Sequence, residues 1–207
     1  MTIVAFLSLS LSSDGGEKCR PYILLCRISL KGDYMPVVDV IRNKEDLEKI
    51  ENYLLRHNKR NHLIWVLALN TGLKISELLS LNVGNAKAIN AITITNPKTG
   101  MVKRVELNKK AMSYLYKYLS RKPLRLKEPL FQTRNGNRFG RTQVYRFIKE
   151  ACKVTGVKTR ISGLSLKKTF LYHSFLESNN DIVLLQKLTN KNTPIKRWRK
   201  FLMQKDI

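Results

Sequence analysis

The stretch LNTGLKISELLSLNVGNA (residues 69–86) follows a strongly apolar segment and sets the interpretation of the whole sequence. The residues HLIWVLALN (62–70) are apolar almost all round, which predicts a core helix near Asn61 to Asn70. Gly72 is predicted to end that helix, because glycine readily takes the left-handed conformation that terminates helices. The segment ISELLSL (75–81) then predicts a short second helix.

Caps and apolar periodicity predict the other elements. Asn43 can cap a helix in which Leu47, Ile50 and Leu54 recur at helical spacing up to His57. Alternating apolar residues in AITITNPKTGMVKRVELN (91–108) predict two strands joined by a turn at NPKTG, and FQTRNGNRFG (131–140) predicts a loop or tight hairpin. The remaining predicted helices follow Asn108, run from a cap at Thr142 through Ala151 with Gly156 closing, and cover residues 166–177, 182–188 and 194–203.

These elements predict an α+β domain that is mainly helical and has one small antiparallel β-sheet. Helical periodicity begins only beyond Met35, so residues 35–207 are predicted to form the working domain and residues 1–34 an N-terminal extension. Residues 1–34 carry four basic and three acidic side chains, a net +1, which leaves +23 of the total +24 on the following 173 residues. The extension is interpreted either as strand-like or as an upstream start-site artefact, which leaves both Met1 and Met35 open as the true start.

Charge is the most prominent feature of the composition. Thirty-nine Lys and Arg residues face fifteen Asp and Glu residues, which gives a net charge of +24 on 207 residues. A domain this basic repels itself unless a polyanion is near, so nucleic acid is the leading partner. An anionic membrane surface is the second candidate partner. The remaining alternative is a basic surface that only keeps the protein soluble and binds no partner. No apolar stretch reaches the ~20 residues that span a bilayer. With nucleic acid as the leading partner, no membrane partner is expected.

The cysteine and histidine residues show no metal-ligand spacing, so neither a metal nor a cofactor is expected. An odd number of cysteines in a lysine-rich chain favours reduced thiols in a cytosol, although Cys19 and Cys26 could in principle pair. The opening residues MTIVAFLSLSLSSDGG (1–16) are apolar like a secretory signal but lack its positive n-region. The residues considered as ligands are Cys19, Cys26, Cys152, His57, His62 and His173.

Four segments resemble the signature motifs of the tyrosine recombinases of the phage integrase family, in that family's order. LNTGLKISELLSLNVGNA (69–86) resembles the first box, TGLRxSEL, and NPKTGMVKR (96–104) resembles the β-hairpin with its catalytic lysine. LSLKKTFLYH (164–173) is similar to the second box, HxLRHTF or HTLRKTF. LLQKLTNKNTPIKRWRKFLMQKDI (184–207) resembles the last stretch, which carries LGHSS and the tyrosine. The resemblance implies the family's catalytic-domain fold without its usual N-terminal core-binding domain.

The family's motifs serve phosphoryl transfer on DNA. In the family, a tyrosine attacks a phosphodiester and forms a covalent 3′-phosphotyrosyl link, while two arginines hold the non-bridging oxygens with planar forks. A hairpin lysine protonates the leaving 5′ oxygen, and histidines assist with proton handling. The resemblance therefore implies a cytoplasmic protein, encoded by a bacterium or a phage, that is associated with DNA integration and recombination of mobile elements.

Most catalytic positions that the resemblance assigns hold other residue types in this chain. The hairpin lysine falls on Lys98, which matches the family. The two arginines fall on Lys74 and Lys167, and the first histidine of the second box falls on Leu164. Lysine keeps a positive charge beside a phosphate but lacks the bidentate fork of arginine. The late histidine falls on Asn190 or Lys191, the tyrosine falls on Arg199 or Lys200, and the last tyrosine of the sequence is Tyr172.

The basic segment RNGNRFGRTQVYRFIKE (134–150) predicts contacts to DNA. Its arginines flank a predicted helix N-terminus, where backbone amides suit phosphates while Gln and Arg suit base edges. Lys74 and Lys167 are interpreted either as phosphate contacts or as ordinary solvated lysines. The predicted DNA-binding residues are Lys74, Lys98, Lys103, Arg104, Arg134, Arg138, Arg141, Gln143, Arg146, Lys167 and Lys168.

Two classes of function follow from these residues. The first is a catalytically inactive protein of recombinase descent that binds double-stranded DNA as a regulator or accessory factor. The alternative is an active site-specific recombinase that uses an unrecognised tyrosine or one supplied by another chain. A degenerate gene product with a fold and no role is a third reading, which no sequence feature separates from the first. A homo-oligomer formed through the C-terminal helix is a further expectation.

Overall fold

The computed structural model describes residues 40–88, 90–95, 100, 102–121, 125–158, 161 and 165–189, all within one compact unit that spans residues 37–207. The predicted extension, residues 1–34, lies outside the described residues. The described elements, in chain order, are α1 (Lys44–His57), α2 (Lys59–Thr71), α3 (Ile75–Ser80), a 3-10 turn (Val83–Ala86), β1 (Ala91–Thr95), β2 (Val102–Glu106), α4 (Lys109–Leu119), α5 (Arg141–Thr155), α6 (Ser165–Glu177) and α7 (Ile182–Thr189). This mainly helical fold with a small sheet confirms the predicted fold class.

Helix α2 is the centre of the core, as its apolar sequence predicts. The six consecutive residues 63–68 are each at most 1% exposed, because α2 packs against α1, α3, α4 and α6. The helix begins two residues before the predicted start, because the Asn58 side chain accepts hydrogen bonds from the N–H groups of Arg60 and Asn61. It ends at Gly72, which adopts the left-handed conformation (φ 61°) that the sequence predicts for it.

The small sheet consists of β1 and β2 in an antiparallel pair. Its register places Ile92 opposite Val105, and Ile94 opposite Lys103. Ile92 is buried and Ile94 is half-buried, so this face of the hairpin packs toward the core. After β2, the Asn108 side chain accepts a hydrogen bond from the Ala111 N–H and caps α4, which confirms the predicted cap.

Residues 131–139 form a tight hairpin that leads directly into α5. The Phe139 N–H donates to the Phe131 carbonyl (3.0 Å), and Gly136 takes the left-handed conformation at its tip (φ 78°). The predicted cap at Thr142 is wrong, since α5 begins at Arg141 with Gly140 as the N-cap residue. The reason is that the Gln143 side chain reaches back and accepts the Gly140 N–H (2.9 Å), which closes the first turn two residues earlier.

Helices α6 and α7 pack on each other through a second, smaller apolar cluster, formed around Leu171 and Leu185. The turn between them contains Asn179 and Asn180, both in the left-handed conformation that asparagine tolerates. Both helices confirm the predicted segments to within one residue at each end, whereas the predicted helix 194–203 lies outside the described residues. In this described portion of the chain, no helix combines the length and apolar character needed to cross a membrane.

Candidate functional site

Lys74 lies at the junction of α2 and α3, where hydrogen bonds fix its backbone. Its N–H donates to Glu77 Oε2 (2.7 Å), and its carbonyl accepts from the N–H groups of Glu77 (2.9 Å) and Leu78 (3.0 Å). Lys74 is therefore the N-cap residue of α3, with an extended backbone (φ −66°, ψ 147°) and an exposed side chain. Glu77 thus positions the backbone of Lys74 and leaves its ammonium in solvent.

Gly72 brings the first and second boxes into contact. The Phe170 ring of α6 packs directly against Gly72, so closely that a Cβ atom there would overlap the ring. Gly72 also has a positive φ (61°), which side-chain-bearing residues rarely adopt. The missing side chain of Gly72 therefore lets α6 pack against the turn that carries Lys74, and its positive φ lets the chain form that turn.

The two lysines of the second box have different environments. Lys167 is half-buried, whereas Lys168 is 7% exposed and burial lowers the pKa of its ammonium. This burial argues against the direct phosphate contact predicted for Lys168, because DNA approaches from the surface. Of the other predicted catalytic positions, Lys98, Leu164, Lys191 and Lys200 lie outside the described residues, as do the alternatives Asn190 and Arg199.

Helix α6 also holds the segment that leads into α1, which the sequence did not indicate. The Ile41 N–H donates to Thr169 Oγ1 (3.1 Å), and the Ile41 carbonyl lies 2.9 Å from His173 Nε2, which donates to it as an N–H. Thr169 and His173 are one helical turn apart, so they bind both backbone groups of a single residue. His173 therefore has a structural partner in the Ile41 carbonyl. Hydrogen bonds across 128 and 132 residues leave no local signal in a sequence.

Tyr172, the last tyrosine of the sequence, packs against the same leading segment. The guanidinium carbon of Arg42 lies 4.8 Å from the centre of its ring, and the His173 ring meets it edge-on at 5.3 Å. Tyr172 is half-buried in this arrangement. Its ring is therefore engaged in packing and a cation–π contact.

The β1–β2 hairpin places its two predicted DNA-binding cations on opposite faces. Lys103 and Arg104 are consecutive residues of β2 and both are exposed. Successive side chains of a strand point to opposite faces, and Lys103 pairs with Ile94 while Arg104 pairs with Thr93. A flat surface that contacts one of these cations therefore does not contact the other.

Arg138 links the 131–139 hairpin to the end of α3. Its Nη1 donates to the carbonyls of Leu79 (2.7 Å) and Leu81 (3.2 Å), and its Nη2 donates to Asn82 Oδ1 (2.7 Å). These three hydrogen bonds give Arg138 a structural role, but its side chain is exposed, so its predicted contact with DNA stays a prediction. The sequence could not distinguish it from its neighbouring arginines, because the difference lies in acceptors more than 55 residues away.

The remaining predicted contacts of this region are at the surface. Arg134 lies at the hairpin tip, and Arg141, Gln143 and Arg146 lie in the first two turns of α5, all exposed. The Gln143 oxygen is occupied by the Gly140 N–H, so its amide nitrogen is the group that remains for a ligand. The structure therefore groups these four side chains around the hairpin and the helix start that follows it.

Among the described residues, neither a metal site nor a reactive cysteine is present. Across the ranges that the structure describes, no three His, Cys, Asp or Glu side chains are close enough to hold a metal ion. Cys152 is buried in α5, and burial raises the pKa of its thiol to about 11. The thiol is therefore protonated at neutral pH and is not a nucleophile.

Comparison with known proteins agrees with this geometry. The model of the phage integrase family matches residues 42–192. The chain is 30% identical over 161 residues to the probable integrase/recombinase YoeC of Bacillus subtilis, which covers 77% of this chain and 87% of that protein.

This chain belongs to the phage integrase family.

Further relatives of this integrase-family chain are tyrosine recombinases. It is 30% identical over 198 residues to the tyrosine recombinase XerC of Thermodesulfovibrio yellowstonii, which covers 90% of this chain but 64% of XerC. Among solved structures, XerA recombinase is similar in fold, with a TM-score of 0.66 at 18% identity over 82% of this chain and 62% of the XerA chain. The chain thus spans less than two thirds of both.

The family match includes most of the positions that the motifs single out. Residues 42–192 contain Lys74, Lys98, Leu164 and Lys167, together with the late position at Lys191, whereas Lys200 lies beyond the matched residues. The likeness of the four motifs to this family, first recognised in the sequence, is therefore confirmed at the level of family and fold.

Proposed function

We propose that this chain binds double-stranded DNA through exposed cations on the first box and at the start of α5. The carrying observation is that Lys74 is exposed at the N-cap of α3, held by Glu77, at the position where the family places its first arginine. Arg141 and Arg146 are exposed as well, and the chain carries a net charge of +24. Such a charge favours a polyanionic partner.

Structures of similar fold support the choice of DNA as the partner. XerH, captured with palindromic difH substrate in a post-cleavage complex, has a TM-score of 0.65 to this chain at 19% identity, over 87% of this chain and 53% of XerH. A lambda integrase dimer bound to a COC′ core site has a TM-score of 0.57 at 15% identity, over 79% of this chain and 60% of the integrase chain.

We further propose that the chain does not cleave or rejoin DNA on its own and acts as a regulator or accessory factor in recombination of mobile elements. Lys74 and Lys167 supply charge but not the planar fork that grips two phosphate oxygens. No tyrosine follows Tyr172 in the sequence, and Tyr172 itself packs against Arg42. A lysine-lined site without an accessible nucleophile near it retains attraction for DNA and loses phosphoryl transfer.

A salt titration of DNA affinity tests the binding proposal. The wild-type chain, Lys74→Gln and the control Lys153→Gln are titrated into a fluorescent duplex by anisotropy, from low to moderate salt. Lys153 is exposed in the last turn of α5, so the control removes one positive charge away from the proposed surface. The slope of log K against log salt is negative, and each lost phosphate contact reduces its magnitude by about 0.9. A wild-type affinity that does not change with salt contradicts DNA binding, and equal slopes for the two variants contradict the role of Lys74.

A further inference from the structure

The junction of α1 and α2 lines a cleft that the family motifs do not include. This basic cleft has a volume of about 490 Å³ and receives side chains from the end of α1, the start of α2, the 131–139 hairpin and Tyr118 of α4. Among the residues that the structure describes, its lining contains no acidic side chain. Its basic members are Arg56, His57, Lys59, Arg60 and Arg134.

Helix electrostatics accounts for only part of this charge. Arg56 and His57 lie in the last turn of α1, where the negative end of the helix dipole favours cations. Lys59 and Arg60 lie in the first turn of α2, at the positive end, and that turn contains no acidic residue. Cations at a helix N-terminus are unfavourable unless an anion is near. Lys59 and Arg60 therefore lie at the end of α2 where a nearby anion is favourable.

Arg60 has a structural role within this cleft. Its Nη1 donates to the Gln132 carbonyl (2.6 Å), its Nε and Nη2 donate to Asn61 Oδ1, and its guanidinium lies 3.8 Å from the centre of the Phe139 ring. Burial lowers the pKa of Arg60, and the positive charge of Arg134 lowers it further despite an opposing contribution from Tyr118. Arg60 thus holds the hairpin against α2 and brings Arg134 into its own field.

Three other cations remain for a ligand. Arg56, Lys59 and Arg134 are exposed, and none of them makes a hydrogen bond or ion pair within the described part of the chain. The α2 backbone is not the ligand-binding group, since Asn58 already accepts the N–H groups of Arg60 and Asn61. The cleft therefore presents unpaired cationic side chains, including two guanidinium forks, on a fixed scaffold.

We propose that this basic cleft binds the phosphodiester backbone of DNA at a second position, a proposal that rests on the proposed DNA-binding function. The cleft lies at the start of α2 and Lys74 follows its end, so 13 helical residues separate them, or ~20 Å at 1.5 Å per residue. One phosphate cannot reach both places. Because Arg134 stands on the hairpin that leads into α5, the cleft extends the proposed DNA surface along the backbone. Arginine forks match phosphate oxygens in the geometry required.

A matched pair of triple variants tests the cleft in the full chain. The cleft variant is Arg56→Gln, Lys59→Gln and Arg134→Gln. The control variant removes the same charge from exposed lysines on and after the second half of α5, namely Lys149→Gln, Lys153→Gln and Lys158→Gln. We expect the cleft variant to reduce the magnitude of the slope of log K against log salt by about 2 to 3. We expect the control to reduce it by less than about 1. The cleft variant melts no lower than wild type, because it relieves repulsion between like charges.

Each result separates the cleft from the binding proposal that it extends. Equal slopes for the two variants, with wild-type affinity still dependent on salt, overturn the cleft and leave the first DNA surface intact. A wild-type chain that does not bind duplex overturns both proposals. A titration of the ¹⁵N-labelled chain with inorganic phosphate tests whether the cleft binds free phosphate instead of the phosphates of DNA. Amide shifts confined to Arg56, Lys59 and Arg134, together with equal DNA slopes, assign the cleft to free phosphate and overturn the DNA assignment. If the cleft variant melts far below wild type, Arg134→Gln alone replaces it, with an expected slope decrease of about 1.

Discussion

Replacing Gly72 with alanine tests how the two boxes are held together. Gly72→Ala introduces a methyl group where the Phe170 ring already lies, and it does so in a left-handed backbone conformation (φ 61°). Gly156→Ala is a matched control, because Gly156 ends α5 in a similar conformation (φ 73°) and a Cβ there meets no described heavy atom within 4 Å. The pair therefore separates the steric cost from the conformational cost.

The magnitudes follow from these two costs. A residue with a side chain in the left-handed conformation costs about 1–2 kcal/mol of stability, and this cost applies to both variants. Overpacking a filled site costs about 1–3 kcal/mol more, and this cost applies only to Gly72→Ala. We therefore expect Gly72→Ala to destabilise the fold by about 2–5 kcal/mol and Gly156→Ala by about 1–2 kcal/mol. The difference corresponds to a melting temperature that is lower by about 2–4 °C for each kcal/mol.

Urea unfolding of both variants in two backgrounds measures the difference. In the Phe170→Ala background the ring is absent, so the extra cost of Gly72→Ala relative to Gly156→Ala should fall below about 0.5 kcal/mol, within the error of additivity. Equal costs for the two glycine variants in the wild-type background refute the contact between the boxes. An excess that persists without the Phe170 ring assigns the cost to backbone strain and refutes it as well.

Further predictions concern single sites and the N-terminal extension. Deleting residues 1–34 should leave the melting temperature and the DNA affinity almost unchanged, and an insoluble product or a large loss of melting temperature contradicts the predicted domain boundary. Arg138→Gln should cost about 1.5–3 kcal/mol in urea unfolding, because it removes charge-assisted hydrogen bonds to backbone carbonyls, whereas Arg134→Gln at the exposed hairpin tip should change stability by less than about 0.5 kcal/mol. Cys152 should react slowly with iodoacetamide in the native chain at pH 8 and quickly in urea, since its thiol is buried and its pKa is raised to about 11; equal rates contradict the buried thiol. Burial acts to raise the pKa of the Glu51 carboxyl, but the neighbouring His62 and the Lys110 ammonium, whose Nζ lies 2.8 Å from Glu51 Oε2, outweigh burial and lower it. The stability that the Glu51 carboxylate contributes should therefore be complete above its ordinary pKa and be lost as the pH falls through its lowered folded pKa. Wild type should then lose more stability than Glu51→Gln between pH 5 and pH 3, and parallel losses contradict the lowered pKa.

The sequence was sufficient for the elements whose determinants are local. Asn43, Asn108 and Gly72 occupy the caps predicted for them, because a capping side chain or a left-handed glycine acts within three or four residues. The buried helix α2 and the two-stranded sheet were predictable because apolar periodicity reports directly which faces are buried. The order of the four motifs was sufficient to identify the family.

What the sequence could not give depends on contacts between distant residues. Arg138 and Arg134 are both exposed arginines of one basic segment, yet Arg138 also donates hydrogen bonds to the carbonyls of Leu79 and Leu81. Lys167 and Lys168 are adjacent, yet the second is buried. The cap of α5 was misplaced because glycine at the cap position gives no side-chain signal, and the signal lies in Gln143 instead. Tertiary contacts, rather than residue type, decide which cations face a ligand.

The central claim, that this integrase-family chain binds DNA without cleaving it, is tested most directly by trapping a covalent intermediate. Duplexes that the full chain binds are first selected from a random-sequence pool, so that the assay uses DNA that this protein recognises. The selected duplexes are then nicked at successive positions, so that any 3′-phosphotyrosyl link is trapped when the cleaved fragment diffuses away, and the products are resolved on a denaturing gel. An active tyrosine recombinase with its own site shows that the assay detects adducts. We predict bound duplex without a shifted band. A shifted band that disappears when one of the eight tyrosines is changed to phenylalanine would contradict the claim and identify the nucleophile.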